Sequence, residues 1–123
     1  MPQFIIVDTS SIIFGLSHRS DVFNAILAYE PSYKPVVSEG VVNELKGIGS
    51  GRGRYAKYAR AGLELIRKHG IEVEDGQGYV DSWILRKAFT LKFDVCTNDT
   101  ALRRKLKEKG IKTFSLSIQG YIK

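Results

Sequence analysis

Residues 3–13 read QFIIVDTSSII, and the reading of this stretch decides the fold. Phe4, Ile5, Ile6 and Val7 form an apolar run of the right length for a buried strand. It stops abruptly at Asp8, which is followed by Thr9, Ser10 and Ser11. A carboxylate at the tip of a buried strand either caps the next turn or is held still for chemistry. Four more strand-like runs follow, at 34–37 (KPVV), 71–74 (IEVE), 93–97 (FDVCT) and 112–116 (KTFSL). Helical periodicity fills the gaps near 20–29, 38–47, 52–69, 80–91 and 99–109. Such alternation predicts an α/β fold, a mainly parallel sheet with helices on both faces. Ser20 and Ser38 stand where N-caps are expected, and Gly70 and Gly110 follow the ends of basic helices.

The totals narrow the class. A chain of 123 residues is expected to form one domain over 1–123, with enough length for one core. At 43% hydrophobic and 26% charged residues, it is globular rather than disordered. No apolar stretch reaches the roughly 20 residues of a membrane span, and the N-terminus lacks a signal-peptide pattern. A cytoplasmic location with no membrane partner is therefore expected. The lone Cys96 can form no intrachain disulfide and reads as core filler. The net charge of +6 is concentrated in two blocks. Residues 51–69 carry six basic side chains against Glu64, and residues 100–112 carry six against Glu108. These blocks suit a phosphate-backbone partner or a solvated helix face equally well. GIGSGRGR at 47–54 is not a phosphate loop, because Arg52 or Arg54 falls where the third glycine belongs and no Gly-Lys-Ser/Thr follows. It reads as a joint between two helices, with arginines available to phosphates.

Four acids fall at related positions. In open α/β sheets ligands gather beyond the carboxyl ends of the strands, where Asp8 and Asp99 are expected. Glu44 lies about 60° from Val41 on the edge of the Val41, Leu45, Ile48 stripe, by helical arithmetic. Asp81 shares a face with Ile84, Leu85 and Ala88, and Asp99 heads the Leu102, Leu106 stripe. Taken singly, each acid has an ordinary explanation as a cap, a first-turn acid or an ion-pair partner. Together they would repel one another and require a cation. Hard oxygen donors select Mg²⁺ or Mn²⁺ over zinc, and no Cys/His cluster competes.

FIIVDTSSII, VVSEGVVNEL, YVDSWIL and VCTNDTALRRKLKEKGI resemble, in order and spacing, the four signature segments of PIN-domain nucleases. The resemblance spans nearly the whole chain. It implies a three-layer α/β/α fold, with about five strands in the order 3-2-1-4-5. It also implies an endonuclease site using one or two Mg²⁺ or Mn²⁺ ions. Asp8, Glu44, Asp81 and Asp99 match the acidic positions, while Thr97 and Ser10 match the hydroxyls that support them. Ser82 stands where many relatives have a second aspartate, which leaves the number of ions open. The segments VVSEGVVNELKGIG, RYAKYARAGLELI, DSWIL and TNDTALRRKL are most similar to archaeal relatives of ribosome-biogenesis PIN proteins. The expected activity is thus metal-dependent endoribonuclease cleavage, with ribosomal or pre-ribosomal RNA as partner. VapC-type toxins share the acids and would bring an antitoxin partner. A catalytically dormant RNA-binding or assembly factor is the reading from a different class, and a homodimer is compatible with any of these.

On this reading Asp8, Asp81 and Asp99 hold metal, and Glu44 binds it or orients its waters. Free backbone N–H groups at Asn98–Asp99 are expected to meet a phosphate. Arg52, Arg54, Lys57, Arg103 and Arg104 are the expected nucleic-acid contacts, and Tyr55 or Tyr58 a base platform. His18 and His69 have no partner at metal spacing. Trp83 and Phe89 read as core or contact surface, and Tyr79 receives no assignment.

Overall fold

The computed structural model describes residues 3–76 and 78–123. Its strands are β1 (Gln3–Val7), β2 (Tyr33–Ser38), β3 (Glu72–Glu74), β4 (Asp94–Cys96) and β5 (Thr113–Phe114). They form one sheet, ordered β3-β2-β1-β4-β5, in which every neighbouring pair is parallel. The helices are α1 (Thr9–Ser17), α2 (Val22–Tyr29), α3 (Glu39–Gly49), α4 (Arg54–Lys68), α5 (Val80–Leu91) and α6 (Thr100–Glu108). This is the three-layer architecture and strand order expected from the sequence.

The pleat of β1 sorts the core. Ile5 and Val7 face α1 to α4, packing with Ile12, Phe23, Val41 and Leu45. Ile6 points to the opposite face and meets Trp83 and Ile84 of α5 with Leu102 and Leu106 of α6. A strand buried on both faces needs apolar residues throughout, which is why FIIV is a continuous run rather than an alternating one. Trp83 is core as expected, whereas Phe89 is exposed.

Several local expectations are corrected. The hydroxyl run after Asp8 forms α1, which weak helix propensity had concealed. The N-cap of α2 is Asp21 rather than Ser20; its carboxylate accepts from the backbone N–H groups of Phe23 and Asn24. Ser38 does cap α3, accepting from Val41 N. That helix runs through Gly47 and Gly49, so only residues 50–53 connect it to α4. Ile48 lies at the helix's open side, and the buried stripe ends at Leu45. Gly70 and Gly110 take φ of +61° and +74° just past the basic helices, a conformation that needs no Cβ. Among the described residues, no helix is long and apolar enough to cross a membrane.

Candidate active site

Strand order decides where a site can form. The chain leaves β1 towards β2 and leaves β4 towards β5, so the connections diverge between two adjacent strands. A crevice opens beyond their carboxyl ends. Asp8 directly follows β1, and Asp99 closes the turn after β4.

Asp8 is 5% exposed and occupies the N-cap position of α1, yet its side chain caps nothing. Instead Oδ2 accepts from Ser10 Oγ at 2.7 Å and from Thr97 Oγ1 at 2.8 Å. Each hydroxyl is in turn fed by the backbone of the β4–α6 turn. Asn98 N donates to Ser10 Oγ at 3.0 Å, and Asp99 N donates to Thr97 Oγ1 at 3.1 Å. Two short chains of hydrogen bonds thus run from backbone N–H through hydroxyl to one carboxylate oxygen, each donor polarised by the one behind it. They satisfy Oδ2 of Asp8 from two sides, and they tie the tip of β1 to the turn carrying Asp99. Among the described residues, no hydrogen bond reaches Oδ1 of Asp8.

The same bonds correct the expectation of free N–H groups at Asn98–Asp99. Those two donors serve the hydroxyls, and the next ones, Ala101 N and Leu102 N, donate to Asp99 Oδ1. Asp99 is therefore a true helix cap as well as a member of the acid group. The Asn98 side chain was not anticipated either. Its Oδ1 accepts from Ser11 Oγ and Leu116 N, and its Nδ2 donates to Leu116 O, bracing α1 against the C-terminal segment. Only the polar run TND hinted at it.

Glu44 and Asp81 complete the group electrostatically. Desolvation, then Asp8 and Asp81, push the Glu44 carboxyl above its usual range, opposed by a long 3.5 Å hydrogen bond from Thr9. Asp81 is raised by desolvation, then by Asp8 and Asp99, while Lys105 pulls it back. Lys105 had not been singled out from sequence; nothing but its charge distinguished it. Among the described residues, none of the four acids forms an ion pair. The two histidines lie elsewhere: His69 pairs with Asp21 at 2.7 Å and His18 stacks on Phe14. Ser82 is exposed and lines a hollow with Arg86 and Phe89, away from the acids, as helical arithmetic predicts.

The donor set fits a hard divalent cation in kind: carboxylate oxygens, mutually repelling and unpaired. Among the described residues, no three His, Cys, Asp or Glu side chains close around one point. A cation here would find no preformed cage; the carboxylates would draw in around it, and it would keep part of its water, as Mg²⁺ commonly does.

The proposed nucleic-acid contacts separate into two groups. Arg52, Arg54 and Lys57 are exposed at the α3–α4 connection and the start of α4. Arg103 and Arg104 line a hollow of about 500 Å³ with Thr100 and Lys107, one residue beyond Asp99. Arg103 differs from the rest: its Nε is buried with no hydrogen-bond partner among the described residues. On the other flank of the acids, a groove of about 710 Å³ runs past Glu44 and Asp81.

Residues 5–119 match the family model described as "PIN like domain". The chain is also similar in structure to the PIN domain endonuclease Utp24, with a TM-score of 0.81, 25% identity, and coverage of 98% of this chain and 90% of that one. A domain of a functionally unknown protein from Methanocaldococcus jannaschii gives a TM-score of 0.60 at 20% identity, covering 94% and 91%. A PilT N-terminus domain protein from Sulfolobus solfataricus P2 gives 0.59 at 18%, covering 95% and 88%. No curated protein matches the chain. The matched residues take in all four acids, Asp8, Glu44, Asp81 and Asp99, and the chain belongs to the PIN-like domain family.

Proposed function

We propose that the chain is a divalent-metal-dependent endoribonuclease acting on ribosomal or pre-ribosomal RNA. One observation carries the reading: a buried carboxylate, Asp8, is held by two hydroxyls at a strand tip, beside three more carboxylates that form no salt bridge among the described residues. A purely structural acid would cap a helix or meet a base. Asp8 does neither, and the repulsion it creates is stabilising only when something positive enters. The endonuclease Utp24 shares the architecture along nearly the full chain, and the resemblance of the segments to ribosome-biogenesis PIN proteins supplies the class of RNA.

Asp8, Asp81 and Asp99 would hold Mg²⁺ or Mn²⁺, with Glu44 as a further ligand or an acceptor for its water. When bound, such an ion supplies an acidified water and offsets charge on the departing 3′-oxygen. Ser10 and Thr97 fix how the Asp8 carboxylate is turned, through their hydrogen bonds to Oδ2. Glu44, its carboxyl raised by desolvation and the neighbouring acids, is better suited than an ordinary carboxylate to accept or hand on a proton. Arg104 and Lys107 line the hollow on α6, the helix that Asp99 caps, where they would meet the RNA backbone.

The absence of three converged acids among the described residues favours one other reading, an RNA-binding assembly factor without turnover. Incubation of structured and unstructured RNA with Mn²⁺, Mg²⁺ or chelator separates the two. Cleavage with either ion, lost in chelator and in Asp8→Asn, is expected. Calorimetric titration of Mn²⁺ should show Asp8→Asn losing most of the affinity. Equal affinity in the two proteins would remove the four-acid site.

A further inference from the structure

The groove beside Glu44 and Asp81 has a composition that selects its occupant. Gly40 and Asn43 of α3 line one part, and Gly78 and Tyr79 ahead of α5 line another. Among the described residues no lysine or arginine lines it, and the two charged ones are both carboxylates. A phosphate is therefore repelled, whereas a neutral planar group is not. Tyr79 is 85% exposed and, among the described residues, has no aromatic neighbour. Its backbone is nonetheless fixed, since Tyr79 O accepts from Trp83 N at 3.0 Å and the indole of buried Trp83 donates to Asp75 O at 2.9 Å. An anchored residue carrying an aromatic ring with no aromatic neighbour among the described residues, lining a groove with two acids, is suited to be a stacking platform. Tyr55, by contrast, already packs edge-on against Tyr58.

We propose that Tyr79 and Asn43 form a nucleobase subsite, in which one unpaired base stacks on the Tyr79 ring and presents its edge to the Asn43 amide. The cleaved strand is therefore single-stranded or looped at this position. A base inside a duplex has both π-faces covered and cannot use such a ring. The volume of about 710 Å³ lies within the range of small-ligand pockets and accommodates a nucleotide unit. Strand order gives the polarity of the cleft. The base subsite lies on the β2–β3 flank, the basic hollow of α6 on the β4–β5 flank, and Asp8 and Asp99 between them. The inference rests on the ribonuclease reading for what occupies the neighbouring acid cleft.

The test uses the full chain and a short single-stranded RNA containing 2-aminopurine, whose fluorescence is quenched on stacking, with the same sequence as a duplex. Binding is measured in an Asp8→Asn background and cleavage in the wild-type background. Tyr79→Ala should weaken single-strand binding by about tenfold or more and abolish the quenching, the size of one base–aromatic stack. Tyr79→Phe should retain both, and duplex affinity should be unchanged by either substitution. Asn43→Ala should weaken binding while leaving the quenching. Unchanged affinity or persistent quenching in Tyr79→Ala overturns the subsite, as does failure of the parental protein to bind the single strand. If quenching depends on Tyr79 but the wild-type background cleaves nothing with Mg²⁺ or Mn²⁺, the subsite stands and the ribonuclease reading falls. If Tyr79→Ala binds and cleaves like wild type, the reverse holds.

Discussion

Asp99 does two jobs with one side chain, and they can be separated. Its Oδ1 caps α6 while its charge raises Asp81. Asparagine caps about as well as aspartate, so in chelator Asp99→Asn should melt at or above the wild-type temperature. Asp99→Ala removes the cap too and should cost about 1 kcal/mol relative to asparagine. Thermal denaturation of both decides whether repulsion or capping dominates. Glu44 and Asp81 make a related point through pH. Both carboxyls are raised in the fold above their ordinary values of 4.5 and 3.8, so the folded state takes up protons more readily than the unfolded chain. Their stabilising contribution is complete below those ordinary values and is lost as pH rises through the elevated folded ones. The melting temperature in chelator should therefore fall as pH rises above the ordinary carboxylate range, Glu44→Gln should flatten the decline, and divalent cation should oppose it. A melting temperature independent of pH in chelator would show that the two carboxyls are not coupled in this way.

The elements meet at a contact that only glycine allows. A Cβ built on Gly40, at the start of α3, would lie 2.9 Å from Val80 Cγ2, at the start of α5. Those helices carry Glu44 and Asp81, so this contact sets how near the two acids come. Gly40→Ala should force the helix starts apart, costing roughly 1–3 kcal/mol as overpacking usually does. It should also lower Mn²⁺ affinity in calorimetry. Gly47 lies on the same helix with nothing within 4 Å of an added Cβ. Gly47→Ala should be neutral or slightly stabilising, because alanine favours helix over glycine. Equal metal affinity in the two variants would show that helix approach does not govern the site.

Across the whole molecule, the two basic blocks are the remaining question. Phosphate contacts release counterions, so log affinity for a single strand falls with log salt at about 0.7 per contact. Replacing Arg52 and Arg54 together with alanine should shallow that slope by roughly one to two units, and so should replacing Arg104 and Lys107. Arg103 is left in place because its Nε is buried, and its removal would mix packing with charge. Fluorescence anisotropy in an Asp8→Asn background, with circular dichroism to confirm folding, gives the slopes. Parental slopes in both double variants would reduce the blocks to solvated faces.

The continuous run FIIV, the stripes under Leu45 and Leu102, and the five strand–helix alternations were enough to establish the sheet and its layers. Each of these patterns is local and repeats with the period of its own element. The acids were legible for the same reason, each marking the edge of a stripe or the end of a strand. What Asp8 does there was not legible. Its partner Thr97, and the Asn98 and Asp99 N–H groups that feed the two hydroxyls, lie about ninety residues away, and whether a strand-tip carboxylate caps its own helix or accepts hydroxyls depends on pairing between β1 and β4. The helix hidden in TSSIIFGLS, the sharing of Asp99 between cap and acid group, and the bare ring of Tyr79 belong to the same category. Propensity and spacing describe what a residue prefers alone, but hydrogen bonds and electrostatic fields between elements exist only once distant segments have been packed together.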